Sequence, residues 1–319
     1  MTSPPVVDPR AARLQEWKNF WPLVLASSVG FAFYSVVINA IGLFVEPLSE
    51  EFGWSRTQIM FGLSLMSITA IFLSPFIGAL IDRYGSRRIA LPGLVLTSFS
   101  IASFGLADGS VPQWMMLWVV MAFVMLLIKT TVWTTAVSGT FSAGRSLAIA
   151  LTISGTAVAQ AIVPPLTHWL IADFGWRNAY FALGFGWGAV AFLLAVFFLF
   201  DAKDRKRIAD QALDKKDIVH ANPDDIPGIS LKEAMRSPPL VRIAIATFIV
   251  MLMGVGIAVN QVPIIVESGI SREKAAYFAS LFGVASIAGK LATGWLMDRY
   301  NPSVVGGLTL GVSAFAFLL

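Results

Sequence analysis

Two lysines stand inside long apolar runs, where a charged side chain is costly. Lys129 lies in MLLIKTTVW, near the middle of a predicted membrane helix, and Lys290 lies in SIAGKLATGW. An ammonium group at the bilayer centre costs about 2.5–3.5 kcal/mol on insertion scales, so both side chains are expected to face a polar interior. No Asp or Glu lies deep in any predicted span, which makes an anionic ligand a suitable partner. The alternatives are a carboxylate partner elsewhere, a neutral lysine or, for Lys290, a side chain that reaches the membrane surface.

Further polar and aromatic side chains lie at positions suited to the same interior site. Trp133 is one helical turn from Lys129, so both side chains are expected to face the same cavity. Asn39 and Asn260 occupy matching places in two similar apolar segments. The predicted ligand contacts besides the two lysines are Tyr34, Asn39, Trp133, Gln160, Asn260 and Gln261. Ordinary hydrogen bonds between helices are the alternative explanation for the polar members of this set.

The composition places these residues in an integral membrane protein. Apolar residues make up 56% of the chain and charged residues 13%, against about 25% charged residues in soluble domains. The absence of cysteine excludes disulfides and thiol chemistry, and His168 and His220 lack the spacing of a metal site, so no metal or cofactor is expected. No nucleotide-binding loop occurs, and no clustered acid, base and nucleophile suggests an enzyme.

Long apolar runs predict about nine membrane helices, because a spanning helix needs about 20 mostly apolar residues. The predicted spans cover residues 21–45, 58–81, 89–107, 114–139, 147–172, 178–200, 241–266, 274–297 and 303–319. With a cytoplasmic N-terminus, 17 of the 23 Lys and Arg residues fall in cytoplasmic segments and four on the opposite side. This bias predicts a cytoplasmic N-terminus. It also means that the net charge of +4 reflects topology and does not indicate nucleic-acid binding.

A charged segment between the second and third spans recurs later in the chain. Gly78-Ala-Leu-Ile-Asp-Arg-Tyr-Gly-Ser-Arg-Arg88 is followed, 216 residues on, by Gly294-Trp-Leu-Met-Asp-Arg-Tyr300 between spans 8 and 9. Copies separated by six helices face the same way, so the sequence predicts a parallel repeat of six plus six spans. We expect twelve spans in all, of which about nine are present, with residue 319 inside the ninth. The predicted parts are a cytoplasmic tail (1–20), a six-helix half (21–200), a cytoplasmic linker (201–240) and a partial second half (241–319).

The charged segment has the form Gly-x-Leu-x-Asp-Arg-x-Gly-x-Arg-Arg, which resembles the signature loop of the major facilitator superfamily. Three shorter stretches are similar to monocarboxylate porters and oxalate–formate antiporter-like proteins. These are Glu50-Glu-Phe-Gly-Trp-Ser-Arg-Thr57, Phe141-Ser-Ala-Gly-Arg-Ser-Leu-Ala148 and Phe174-Gly-Trp-Arg177. The resemblance implies an all-α integral membrane fold of two six-helix halves. It also implies a substrate contact for Lys290, because carboxylate carriers of this kind have a cation there and a glycine four residues on, here Gly294.

The resemblance further implies that each charged segment latches the two halves together on the cytoplasmic side. Asp82 would meet a helix beyond residue 319, and Asp298 would meet the start of the fifth span near Arg145. The predicted gating residues are Gly78, Asp82, Arg83, Arg87, Arg88, Arg145, Asp298 and Arg299. For the arginines, the alternative is that they only anchor the loops at the membrane surface. The linker 201–240 is expected to connect the halves, with a regulatory or partner-binding role as its alternative.

Together these features predict a secondary transporter of small organic anions, mono- or dicarboxylates. It would work by alternating access, with a proton or a counter-anion as the coupled species. We expect a monomeric multi-pass protein of a bacterial inner membrane, with the lipid bilayer as its surroundings and no nucleic-acid partner. The alternatives are a proton-driven exporter of drug-like compounds and a transporter-like membrane sensor.

Overall fold

The structure is a computed structural model that describes residues 9–200, 236–249, 251–252, 268–269 and 272–316. The helices in these residues are α1 (Pro9–Phe52), α2 (Arg56–Tyr84), α3 (Ser86–Ser103), α4 (Val111–Met125), α5 (Thr130–Ser138), α6 (Arg145–Phe181), α7 (Gly188–Phe198), α8 (Pro238–Ile249), α9 (Arg272–Met297) and α10 (Pro302–Ala316). Short 3₁₀ turns follow α3 (Phe104–Leu106) and α4 (Leu126–Ile128), and a π-helical turn (Ala182–Trp187) joins α6 to α7. The described residues contain no β-strand, which confirms the predicted all-helical class for this part of the chain.

Local sequence signals explain where α2 begins and ends. Ser55 and Gln58 form a capping box, in which the Gln58 amide donates to the Ser55 hydroxyl (3.3 Å) and the Ser55 amide donates to the Gln58 side chain (2.9 Å). These bonds satisfy amides that have no carbonyl partner within the helix. At the other end, Gly85 has φ = 88°, a conformation that side chains disfavour, and its amide donates to the Ile81 carbonyl. One glycine therefore turns the chain from α2 into α3.

Five stretches in the described residues are long and apolar enough to cross a membrane. They are Arg13–Phe52, Arg56–Tyr84, Ser86–Leu106, Val111–Ser138 and Arg145–Phe198. The last stretch covers two predicted spans, 147–172 and 178–200, and the backbone breaks between them at Gly175, where φ is 81°. Helices therefore lie at all six predicted spans of residues 21–200, and the number of spans in the whole chain stays a prediction.

Close approaches at glycine residues hold the helices of the first part of the chain together. A Cβ atom on Gly155 of α6 would lie 2.1 Å from the Ser28 carbonyl oxygen of α1, so only glycine permits this helix–helix approach. The indole ring of Trp118 on α4 fits against Gly62 of α2 in the same way. Small residues at such contacts let helices pack closely where the surroundings are as apolar as the side chains. Sequence position alone does not reveal these pairs.

The described chain divides into two compact units. The first comprises Met1–Ile208 and Ser286–Val305, and the second comprises Ala209–Ala285 and Gly306–Leu319. The second half of α9 and the start of α10 therefore pack with the helices of the first part of the chain. The second unit contains the exposed apolar helix α8 and the first half of α9.

Two features of the first unit differ from the sequence prediction. Helix α1 begins at Pro9, so the described part of the predicted tail continues the first span as a helix. The predicted span 114–139 is interrupted at Lys129, whose φ of −66° and ψ of 163° are extended. Hydropathy does not register either feature, because it reports the length of an apolar run and not the backbone geometry within it.

Candidate functional site

Lys129 stands at the break between α4 and α5. Its ammonium group donates to the Ser74 hydroxyl of α2 at 2.9 Å, and its own backbone carbonyl accepts from the Val132 amide at 3.0 Å. The side chain is partly buried, and within the described residues no carboxylate pairs with it. Lys129 also occupies the N-cap position of α5, where the first amides of a helix lack carbonyl partners. The backbone of Lys129 therefore lies at the positive end of the α5 dipole.

Lys290 lines a cavity of about 460 Å³ between α6 and α9, inside the first compact unit. Four lining residues come from α6 and six from α9: Ser146, Ile149, Ala150, Ile153, Ser286, Gly289, Lys290, Thr293, Gly294 and Met297. Lys290 is partly buried and has no hydrogen-bond or ion-pair partner among the described residues. One cation, three hydroxyl-bearing residues and a mostly apolar wall form the surroundings. Lys129 is not among the lining residues, so this cavity does not unite the two lysines.

The start of α6 meets the carboxylate of Asp298 directly. The Ser146 amide donates to one carboxylate oxygen at 2.8 Å, and the Leu147 amide donates to the other at 3.0 Å. A carboxylate at a helix N-terminus satisfies free amides and interacts favourably with the helix dipole. Arg145 does not pair with Asp298, because its Nε donates to the Phe141 carbonyl at 2.9 Å. The contact predicted near Arg145 is thus made by backbone amides one and two residues further on.

A close helix approach surrounds this capping contact. Gly294 of α9 is buried, and a Cβ atom there would lie 2.5 Å from the Ala150 Cβ and 3.0 Å from the Ser146 carbonyl oxygen. The Gly294 carbonyl in turn accepts from the Asp298 amide at 3.2 Å. The second copy of the charged segment therefore packs its glycine against α6 and caps the same helix with its aspartate.

The N-terminal turns of α1 reach the same region, a contact that was not predicted from the sequence. Arg13 donates from Nε to the Ala143 carbonyl at 3.1 Å and from Nη2 to the Asp298 carbonyl at 2.6 Å. The Glu16 carboxylate accepts from the amides of Ala143 and Gly144, each at 3.0 Å. We call the end of the bundle that carries these contacts the N-terminal side. The sequence signal for a capping role is the charged pair Arg13 and Glu16, three residues apart and just ahead of an apolar run.

The first copy of the charged segment has different surroundings. Arg87 donates to the carbonyls of Val196 (2.7 Å) and Leu199 (3.2 Å) at the end of α7, and its guanidinium lies 3.9 Å from the Phe200 ring centre. Gly78 has open space on its Cβ side within the described part of the chain. Of the remaining predicted gating residues, the exposed ones are Asp82, Arg83, Arg88 and Arg299. Arg87 thus secures the end of the sixth predicted span.

Of the other predicted ligand contacts, none that the structure describes lines the cavity around Lys290. Trp133 is fully buried, its indole nitrogen donates to the Ile128 carbonyl at 2.8 Å, and its ring packs against Gly30 of α1. The Asn39 side-chain nitrogen Nδ2 donates to the Ser35 carbonyl of its own helix at 2.8 Å. Tyr34 is partly buried and stacks on Phe31, Gln160 is exposed, and Asn260 and Gln261 lie outside the described residues. The helical-turn argument for Trp133 is wrong because it assumed an unbroken helix through Lys129.

On the opposite end of the bundle, two of the family-like stretches meet. The carboxylate of Glu51 pairs with the Arg177 guanidinium at 2.6 Å and accepts from the Trp176 indole nitrogen at 2.7 Å. The Phe52 ring lies edge-on to the Trp176 ring, with centres 5.8 Å apart. This network connects the α1–α2 junction to the residues that follow the backbone break at Gly175 inside α6.

Comparison with known protein families identifies the architecture. The family model described as Major Facilitator Superfamily matches residues 24–319, which is nearly the whole chain. The chain belongs to the major facilitator superfamily. This confirms the resemblance that the charged segments suggest, and the family indicates a membrane transporter and not an enzyme. Within the described residues, no group of three or more potential metal ligands occurs.

Individual relatives within this superfamily are distant. The 4-hydroxybenzoate transporter PcaK of Acinetobacter baylyi is 28% identical over 199 residues, 55% of this chain and 43% of that protein. Monocarboxylate transporter 13 of Bos taurus is 22% identical over 302 residues, 94% of this chain and 66% of that protein. An MFS-type transporter of Gibberella moniliformis is 25% identical over 299 residues, 89% of this chain and 65% of that protein. The matched part thus spans less than two thirds of the length of each of these relatives.

Proposed function

We propose that this protein is a secondary transporter of small organic anions, mono- or dicarboxylates, that works by alternating access. A proton or a counter-anion would supply the coupling. The N-terminal side would face the cytoplasm, as the distribution of Lys and Arg residues predicts. The family is a transporter family, and two relatives carry the names of a hydroxybenzoate and a monocarboxylate transporter.

The observation that carries this proposal is the cavity around Lys290. Its ammonium group has no partner among the described residues, although three hydroxyl-bearing side chains line the same space. A partly buried charge without a partner is unfavourable, so an anion that enters gains a charge-assisted hydrogen bond and relieves this cost. The volume of about 460 Å³ lies in the range of small-molecule sites.

Lys129 supports the proposal as a second cation within an apolar span. It is bound to the neutral hydroxyl of Ser74, which leaves its charge uncompensated within the described residues. Interrupted helices in transporters place helix ends, with their partial charges, beside substrates and coupled ions. The break at Lys129 is such an interruption, and an anion passing here would meet both the ammonium group and the start of α5.

Asp298 and Gly294 support the alternating-access part of the proposal. They join the second copy of the charged segment to α6 on the N-terminal side, through two charge-assisted hydrogen bonds and one close helix approach. Opening of that side would require both contacts to separate. In this arrangement the N-terminal side is closed at α6 and α9, as expected for a carrier whose site opens to the opposite side.

Transport by the full-length protein in proteoliposomes tests the proposal. A panel of mono- and dicarboxylates, with 4-hydroxybenzoate among them, is offered with and without a proton gradient or internal counter-anion. We expect uptake of at least one anion. Lys290→Gln is expected to lower that uptake about tenfold or more, because a hydrogen bond to a charged group contributes about 1.5–3 kcal/mol.

Lys18→Gln is the matched control, because Lys18 is exposed on the N-terminal turns of α1 and lies away from the cavity. It removes the same charge and is expected to leave uptake unchanged. Transport of no anion, or unchanged uptake in both Lys290→Gln and Lys129→Gln, would contradict the anion proposal. Movement of uncharged compounds by the same preparation would favour the exporter.

A further inference from the structure

The N-terminal turns of α1 bind the α5–α6 loop (residues 139–144). The Glu16 carboxylate accepts hydrogen bonds from three backbone amides. The Ser142 amide donates to Oε1 at 3.0 Å, and the amides of Ala143 and Gly144 each donate to Oε2 at 3.0 Å. Three successive amides that point at one carboxylate form an anion-binding concavity of the kind seen at helix starts. Glu16 therefore fixes the conformation of the α5–α6 loop just before Arg145.

Aromatic side chains of α1 also pack against the α5–α6 loop. The Trp17 ring lies 5.2 Å from the Phe141 ring, and the Phe20 ring lies 6.0 Å from it. A Cβ atom on Gly144 would lie 2.7 Å from the Trp17 indole nitrogen, so the ring covers the loop closely. All these contacts stay between α1 and the α5–α6 loop. They join the predicted tail to the loop between the fourth and fifth predicted spans.

Arg13 differs from its neighbours because it joins two separate segments. Its Nε donates to the Ala143 carbonyl of the α5–α6 loop, while its Nη2 donates to the carbonyl of Asp298 in the second copy of the charged segment. The same Asp298 caps α6 through its side chain. Asp298 is thus bound on two faces, by amides at its carboxylate and by a guanidinium at its backbone carbonyl.

We propose that Arg13, held by the contacts of Glu16 and Trp17, is a positioning residue that clasps the α9–α10 connection to the start of α6 and favours the closed N-terminal side. The inference rests on the proposed alternating access. The loop contacts of Glu16, Trp17 and Phe20 persist when α9 moves away, because they involve only α1 and the α5–α6 loop. The bond from Arg13 to Asp298 breaks, so the clasp acts in one conformation and not in the other.

Distances between spin labels in the full-length protein test this clasp without any substrate. The chain has no cysteine, so labels can be placed at single introduced cysteines. We choose Thr135 on α5 and Ser303 on α10, which are exposed and lie outside the clasp contacts. Arg13→Ala is expected to raise the ratio of open to closed distances about tenfold or more, the effect of losing one hydrogen bond from a charged donor. Arg13→Lys is expected to fall between Arg13→Ala and the unchanged protein, because one ammonium nitrogen replaces the separate Nε and Nη2 donors that bond the Ala143 and Asp298 carbonyls.

Lys18→Ala is the matched control and is expected to leave the distance ratio unchanged, since Lys18 is exposed on the same turns. A second label pair at Thr57 and Thr135 must keep its distance in every variant, which shows that the bundle is folded. Distances in Arg13→Ala equal to those of the unchanged protein would overturn the clasp, even if the protein carries anions. A shift in Arg13→Ala in a protein that carries no anion would overturn the proposed substrate alone.

Discussion

Replacement of Gly294 by alanine tests the closure on the N-terminal side most directly. The added Cβ atom would lie 2.5 Å from the Ala150 Cβ, 3.0 Å from the Ser146 carbonyl oxygen and 3.2 Å from the Leu147 Cα. Two of these three neighbours are backbone atoms of α6, which cannot rotate away as a side chain does. The contact is therefore relieved only if α9 and α6 separate, and that separation also stretches the bonds from Asp298 to α6.

The size of the effect follows from two opposing contributions. Excess volume in a packed contact costs about 1–3 kcal/mol, while replacement of glycine by alanine within a helix gains about 1 kcal/mol. Gly289→Ala on the same helix has the same helix gain but meets nothing within 4 Å, so it is the matched control. The difference between the two variants is then about 1–3 kcal/mol, or about 5- to 150-fold in the equilibrium between closed and open forms.

The assay is the distance distribution between labels at Thr135 and Ser303 in the full-length protein in lipid. Gly294→Ala is expected to shift the population towards longer distances, and Gly289→Ala is expected to leave it close to that of the unchanged protein. Equal distributions for the two alanine variants would refute the reasoning. They would mean that α6 and α9 relax locally around the added methyl group and that closure does not depend on this approach.

Three further outcomes follow from the described contacts. Asp298→Asn, which loses the charge at the start of α6, is expected to shift the equilibrium reported by the same labels towards the open form by about 1 kcal/mol; unchanged distances would show that the charge of Asp298 does not contribute to closure. Arg87→Lys is expected to lower the free energy of unfolding by about 1–2 kcal/mol in thermal melts, because one ammonium nitrogen replaces the two guanidinium nitrogens that bond the Val196 and Leu199 carbonyls, whereas Arg88→Lys should melt like the unchanged protein. Arg177→Gln is expected to destabilise by less than about 1 kcal/mol at low salt and by less still at high salt, because the pair with Glu51 is largely exposed; a loss that persists at high salt would contradict this.

Much of the architecture was accessible from local patterns in the sequence. The apolar runs predicted helices at all six spans of residues 21–200, and the charged segments predicted a family that the family model confirms. Both inferences depend on residues that are neighbours in the chain, such as Gly78 to Arg88. The roles of the predicted site residues, and the presence of twelve spans in all, stay predictions.

The finer geometry was less accessible, and Trp133 shows why. Its position one turn from Lys129 indicated a shared face, but the helix breaks at Lys129 and the indole ring turns into the core against Gly30. A helical period holds only while the backbone is helical, and no residue type near Lys129 marks the interruption. The two lysines were likewise expected in one site, whereas the cavity around Lys290 does not include Lys129.

The sequence by itself determined that this is a helical membrane protein of the major facilitator superfamily, because apolar run length and a short motif are properties of consecutive residues. Only the tertiary structure decided which groups meet on the N-terminal side. Asp298 reaches the Ser146 amide across 152 positions, and Arg13 reaches Asp298 across 285. Such pairs depend on how whole helices pack, here on the close approach of α9 to α6 at Gly294. The residues next to Arg13 in the sequence therefore do not identify its partner.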